Sequence, residues 1–284
     1  MRYTIILCLI CIFHLEGFSV NNWHKADSLF DAGNFFLAGI EYERIAYNPL
    51  NNLELTNALI KKGDCLLAEN NYSEAEYSLS RIRFNDLPDS LLYLARYKNA
   101  FASYLNSNFQ NAESQLIQLQ NYIEDSAYIV KSFLLHGLVL NELDSFNLAK
   151  EKIIQYIKYN YKSDDKKLKL DELELLYSLK EIPKYKSESK AARLSTFLPG
   201  SGQLYAGYFA EGAVSVLFQL AGLGFGVYSF IIKNYITSVI IGYSFFQKFY
   251  LGGVQRAEFL VRKRNYLLKR KFNDKAKNYI LSIY

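Results

Sequence analysis

A period of 37 residues runs through the first half of the chain. Small residues recur at Ala26, Gly63, Ala100 and Gly137, aromatics at Phe35, Tyr72, Phe109 and Phe146, and alanines at Ala38, Ala75, Ala112 and Ala149. A unit of this size cannot bury its own apolar face, so neighbouring units have to stack on one continuous core. Asn34, Asn71, Asn108 and Ser145 stand directly before the aromatics, where a side-chain oxygen can cap a helix start. Tyr42, Leu79, Leu116 and Ile153, then Ile45, Ile82, Leu119 and Tyr156, continue a stripe at helical spacing that belongs in the core. Four prolines fall at apparent boundaries and few runs alternate with period two, so the chain reads as all-α.

The stretches AGNFFLAGIEYERI, ENNYSEAEYSLSRI, NSNFQNAESQLIQL and LDSFNLAKEKIIQY resemble the tetratricopeptide repeat family, over residues 20–157. The resemblance implies a right-handed helical-repeat solenoid of four helix pairs, with the small residue of each helix A set against the alanine of helix B. The family's period is about 34 residues, so each copy here has three more to place. Ser103 stands where the third copy should be bulky. The resemblance also implies a ligand groove along the concave face of the A helices. Its positions map to Trp23, Asp27, Phe30, Asn57, Ile60, Asp64, Leu67, Tyr97, Phe101, Tyr104, Leu134, Leu138 and Asn141. The family's carboxylate-clamp subtype needs Lys and Asn there. Aromatics and Asp suit a protein or peptide partner with an apolar or weakly basic segment instead. The alternative is that the chain's own downstream helix fills the groove. That helix, expected over Lys166–Ile182 with Leu170, Leu173, Leu176 and Leu179 on one stripe, is the solenoid's cap, and Lys184–Arg193 reads as a basic linker, together residues 158–193.

The second half is apolar and basic, with eleven Lys/Arg against three Asp/Glu from Leu194 onward. Gly212–Ile232 carries no charge over 21 residues, roughly 31 Å of helix and enough for a bilayer core. After Lys233 and Asn234, Tyr235–Gln255 is again apolar, with Lys248 as one charge before Arg256. A transmembrane helical hairpin within residues 194–255 is expected, with Gly222, Gly224 and Gly226 allowing close helix approach. The segment PGSGQLYAG precedes it, contributing Pro199, Gly200, Gly202, Gln203, Tyr205 and Gly207. It lacks the Gly-Lys-Ser/Thr ending and preceding strand of a phosphate loop, which argues against nucleotide binding. Over residues 194–265 it resembles a signature of small bacterial membrane domains, which implies a membrane location and no particular chemistry. Pro199 and Gly200 should end a short helix, Leu194–Leu198, and Gln203 and Tyr205 should satisfy backbone groups freed at the break. Residues 256–284 then form a basic amphipathic helix, with Arg262, Lys263, Arg264, Lys269, Arg270 and Lys271 facing an anionic lipid surface rather than nucleic acid.

Arg2, the apolar run Tyr3–Phe13 and Gly17-Phe18-Ser19 have the layout of a signal peptide over residues 1–19. Cleavage would leave Cys65 alone, as a small core hydrophobe, and would put the repeats in the periplasm of a bacterial cell envelope, anchored in the cytoplasmic membrane. Beyond residue 19 no HExxH, CxxC or GxSxG occurs, the one C-x-x-C spacing being Cys8 and Cys11 inside the expected signal peptide, and His24 and His136 do not form a metal-site pattern. No catalytic residue, metal or cofactor is assigned. The chain reads as a membrane-anchored scaffold or adaptor without catalysis of its own. The rival reading is a subunit of a membrane enzyme or transport or assembly complex, in which Gln203 and Tyr205 meet Lys248 in a working site. One consequence is independent of function: Ala75→Leu should overpack its helix pair and lower unfolding stability by about 1–3 kcal/mol in denaturant titration. An unchanged midpoint would contradict the nested-alanine reading.

Overall fold

The computed structural model describes residues 22–284; the expected signal peptide, Cys8 and Cys11 lie outside them. Among the described residues the chain is helical, with no strand. It divides into two compact units, one holding the chain up to Tyr177 together with Tyr279–Tyr284, the other Ser178–Asn278.

The first unit begins with α1, residues 22–31. It continues with α2 (Phe35–Tyr47), α3 (Asn52–Ala68), α4 (Tyr72–Ser80), α5 (Asp89–Leu105), α6 (Phe109–Tyr122), α7 (Ser126–Glu142), α8 (Phe146–Asn160) and α9 (Ser163–Leu176). From α2 to α9 each helix packs on the next, and α3, α5 and α7 also touch one another in sequence. The four periodic aromatics are the first residues of α2, α4, α6 and α8. Ala38, Ala75, Ala112 and Ala149 are all fully buried, as are Tyr42, Leu79, Leu116 and Ile153. Opposite the stripe stand Gly63, which faces the branched Leu79, and Gly137, which faces Ile153 and, a little farther off, the Ala149 carbonyl. A Cβ on Gly63 would lie 2.9 Å from Leu79, and one on Gly137 3.0 Å from Ile153. Helices α3, α5 and α7 each run 17 residues.

One turn closes every pair. Gly33, Asn70, Ser107 and Asp144, again 37 apart, are left-handed, with φ of 75°, 58°, 62° and 60°. In each, the left-handed residue's N–H reaches back three residues and the next N–H reaches back five, as in Gly33 to Phe30 and Asn34 to Leu29, both at 2.9 Å. These bonds satisfy carbonyls that a helix end leaves open. The following residue starts the next helix. Asn71 and Asn108 cap it by accepting from the backbone three residues on, whereas Asn34 and Ser145 make no side-chain cap. The expected cap therefore forms in two of four copies.

Helix α9 is shorter than expected and ends at Leu176. Leu173 is buried, but Leu179 is exposed beyond the helix, and Tyr177 takes its place in the core. Charge balance within this unit is local. Glu76 accepts from Asn106, Asn108, Asn111 and Ser103 at 2.6–3.1 Å, and these bonds outweigh burial to hold its carboxyl below the usual range. Ser103, the small residue of the third copy, is thus a polar link between α5 and α4.

The second unit comprises α10 (Glu188–Phe197), α11 (Ser201–Ala206), α12 (Phe209–Ile231), a short α13 (Tyr235–Thr237), a π-helical segment Ser238–Tyr243 and α14 (Ser244–Ile283). Helix α10 starts earlier than the expected Leu194 because Ser187 caps it, accepting from Lys190 N–H. The turn of the repeats reappears here at Gly207 (φ 96°) and Lys233 (φ 61°). Beyond it the chain runs back along α12: Ser238 Oγ donates to Gly226 O at 2.7 Å, Phe249 stacks on Phe218, and Arg256 clasps Glu211 with bonds of 2.6 and 2.8 Å. Helix α14 is continuous for 40 residues, so the second apolar run from Ser244 onward and the basic tail are one helix, and its last turn groups with the first unit.

A polar cluster inside the first unit sets a pH dependence. Lys152 donates to Gln120 Oε1 at 2.8 Å, so the Gln120 amide nitrogen faces Ser132 Oγ at 3.1 Å and His136 Nδ1 at 2.9 Å. Nδ1 therefore accepts and the ring is neutral. Burial, with the Lys152 charge, pushes His136 down to about 4 from 6.5. The unfolded chain binds this proton from about pH 6.5 downward and the folded chain does not, so stability is present above 6.5 and lost as pH falls toward 4, by about 2–3 kcal/mol. Replacing His136→Gln should flatten the unfolding free energy between pH 6.5 and 4.5; an unaltered slope would remove His136 as its source.

Candidate functional site

The groove positions lie in series on α1, α3, α5 and α7. Most of them are satisfied by the chain itself. Trp23 donates to Glu54 at 3.0 Å and its ring tilts against Tyr42. Asp27 accepts from the Tyr42 hydroxyl at 2.5 Å and lies 3.6 Å from Lys61, whose ammonium also sits over Phe30. Asp64 pairs with Lys98. Each acid is therefore met by a lysine 34 positions later, on the next A helix, a regular offset that the repeat motif itself does not specify. Asp27 and Asp64 are thus both paired within the chain. Ile60, Leu134 and Asn141 are buried; Leu67, Tyr97, Tyr104 and Leu138 are half-buried. Phe101 and Asn57 are the two groove positions that stand exposed.

Two further segments of the chain pack in this unit. Tyr177, just past α9, exchanges hydrogen bonds with Asn141 at 2.7 and 3.0 Å. The last turn of α14 packs in the same unit: Ile280 and Ile283 are buried, Tyr161 donates to Ile283 O at 3.0 Å and Tyr279 donates to Lys169 O at 2.6 Å. Burial raises Tyr93 and Tyr97 above the usual phenol range, and charge at Tyr284 adds to both. Of these residues Tyr177 is the one that bonds an expected groove position, Asn141. Nothing in the local sequence of 279–284 distinguishes it from any amphipathic end.

The second candidate is the PGSGQLYAG segment. Gly200 (φ 85°) and Gly207 (φ 96°) bracket the six-residue α11 in left-handed conformation. At Gly202 a Cβ would lie 2.2 Å from Ala191 O, 2.4 Å from Ser195 Oγ and 2.8 Å from Ala257 Cβ, so α10, α11 and α14 meet where a side chain cannot fit. Gln203, 1 % exposed, has both amide ends engaged: Oε1 accepts from Ser195 Oγ at 3.1 Å and Nε2 donates to Gly253 O at 2.8 Å. Ser195 Oγ also accepts from Gly202 N–H at 3.1 Å. Tyr205 lies elsewhere: its hydroxyl accepts from Ser187 N–H, its carbonyl accepts from Lys186, and Lys186 and Lys190 sit over its ring. Pro199 is half-buried ahead of the turn.

A cleft of about 510 Å³ is lined by Gln203, Glu211, Lys248 and Arg256 among others. Gln203 and Lys248 thus share a cleft, and Tyr205 is not part of it. The six basic residues of the tail also separate. Arg262 pairs with Glu188, Lys263 lies over the Tyr208 ring and Arg270 is 4.0 Å from Asp274, while Arg264 and Lys271 line a different cavity. Cys65 is buried, and burial together with the charges of Asp64 and Glu69 pushes its thiol up to about 12. Among the described residues no group of three or more His, Cys, Asp or Glu is placed to hold a metal ion.

No family model matches the chain, and no curated protein or solved structure matches it.

The glycines separate sites that need bare backbone from sites that do not. Gly202→Ala should cost at least about 3 kcal/mol, the upper range of core overpacking. Gly224→Ala, where a Cβ meets nothing within 4 Å, should be neutral or stabilising by up to about 1 kcal/mol. Thermal unfolding of both variants checks this, and equal effects would contradict the packing described for α11.

Proposed function

We propose that this chain is a membrane-anchored repeat scaffold: a right-handed tetratricopeptide-like solenoid fastened to lipid by a helical hairpin, which holds a protein or peptide partner in the bacterial cell envelope. The observation that carries the anchoring is the inverted burial of α12. This helix is long and apolar enough to cross a membrane, with 17 % of its apolar window buried. Its buried residues are Gly212, Gln219, Gly222 and Ser229, while Leu217, Leu220, Val227, Phe230 and Ile231 are all at least 59 % exposed. Small and polar side chains inward with large apolar ones outward suits lipid as the surrounding solvent. The returning segment, Ser238 to Arg256, supplies the second arm. It would return the tail to the side on which the repeats lie.

The recognition surface in this reading is the open part of the A-helix series, around Asn57 and Phe101. The partner is expected to be apolar, because the neighbouring acids are already paired. The cleft shared by Gln203 and Lys248 favours the alternative, a subunit of a membrane enzyme or transport complex. Site-specific photocrosslinking in membranes separates the two. A crosslinker at Phe101 or Asn57 should give a discrete protein adduct, and one at exposed Leu168 should not. Adducts only from Lys248 would move the working site to the membrane unit, and identical adducts from Leu168 would end the scaffold reading.

A further inference from the structure

We propose that the basic cavity formed by residues 180–184 and one face of α14 is a binding site for a phosphate-bearing anion. It stands independently of the scaffold reading. The cavity measures about 330 Å³ and five cations line it: Lys180 and Lys184 from the turn after α9, and Arg264, Lys271 and Lys275 from the helix. Arg264, Leu268, Lys271 and Lys275 follow one another at helical spacing, so the sequence of α14 itself aims three charges the same way. One carboxylate, Glu181, faces them, and it is engaged by Lys275 at 2.5 Å. The hydrogen bond from Lys275, with the charges of Lys275, Lys180 and Lys271, holds Glu181 below the usual carboxylate range.

Two features mark this as more than a solvated basic face. Arg264 Nη1 is shut off from solvent and donates to no acceptor, an arrangement that a native core seldom keeps without an occupant. Leu268 and Phe272 also line the cavity, and Phe272 is buried, so the cations converge over an apolar floor that strengthens their field. The volume matches about ten waters of liquid, room for a phosphate group with part of its shell. A planar guanidinium with flanking ammonium groups is suited to a phosphate oxygen set.

Phosphate can come from a soluble phosphoester or a lipid headgroup. Arg264 lies eight residues beyond Arg256 on α14 and Lys275 nineteen, roughly 12 and 28 Å along the helix axis. Arg256 pairs with Glu211 in the first turn of α12. A headgroup layer of roughly 5–8 Å per leaflet would reach little of the cavity if α14 continued along the membrane normal, so the soluble source is expected to bind more tightly.

The test uses the full chain in neutral-lipid nanodiscs, titrated with inorganic pyrophosphate, and separately in nanodiscs containing an anionic phospholipid. Saturable stabilisation of about 3–8 °C in melting temperature is expected with pyrophosphate, and none with sodium chloride at matched ionic strength. Lys180→Gln with Lys184→Gln, at two exposed positions, should melt like the parent without ligand and lose the shift. Arg264→Gln should lose it as well. A shift confined to the anionic lipid and lost in the same variants would support the site with a headgroup as its source. No saturable shift from either probe, or one that persists in both variants, would overturn the proposal.

Discussion

Helix crossings in this protein depend on missing side-chain volume. At Gly63 and Gly137 the facing Leu79 and Ile153 come so near that a Cβ would lie about 3 Å away, and four periodic alanines have no exposed surface. Gly202 carries the same constraint further, because a carbonyl and a hydroxyl occupy the place of its absent Cβ. Such closeness brings the branched stripe residues into full contact, which is where dispersion and burial stabilise a helix pair. A larger residue cannot be absorbed by rotation, since the opposing atoms belong to side chains or backbone that are themselves packed.

Close pairs need a connector that reverses the chain in two residues, and one device does this in both units. The left-handed residue followed by a helix-starting residue occurs at Gly33, Asn70, Ser107, Asp144, Gly207 and Lys233. Four of these six are not glycine, so each accepts a conformational cost of about 1–2 kcal/mol. Two backbone hydrogen bonds close every copy. In three of them an aromatic at the new helix start packs on a ring five residues earlier: Phe35 on Phe30, Phe109 on Tyr104, Tyr235 on Phe230. The fixed turn brings those rings together, and their contact in turn holds the turn.

This explains what could be read in advance. Helix starts, buried alanines and the core stripe were legible because they depend on residues within one 37-residue copy. Lengths and ends were less so: α9 stops at Leu176 because Tyr177 leaves the helical pattern to bond Asn141, a contact 36 residues distant. At the expected groove positions, the partners of the side chains were not legible. Lys61 and Lys98 sit outside the motif that defines the groove, and Tyr177 bonds Asn141 from beyond the last repeat. In the PGSGQLYAG segment the need for Gly200 and Gly202 could be suspected from composition. That Gln203 is saturated by Ser195 and Gly253 could not, since Gly253 has no side chain to announce it.

The two long apolar helices make opposite use of similar composition. Helix α7 buries Phe133, Leu134, Leu135, Val139 and Leu140 among its neighbours, which water enforces. Helix α12 buries Gly212, Gln219, Gly222 and Ser229 and turns its leucines and phenylalanines out. In water the second arrangement would expose a large apolar surface, a cost with no compensating term. In lipid the outward residues cost nothing and the small inward ones let Ser238 reach the Gly226 carbonyl. The difference between the helices therefore lies in which side of each is turned inward, and the proposal of a membrane anchor rests on this together with the length and apolarity of α12.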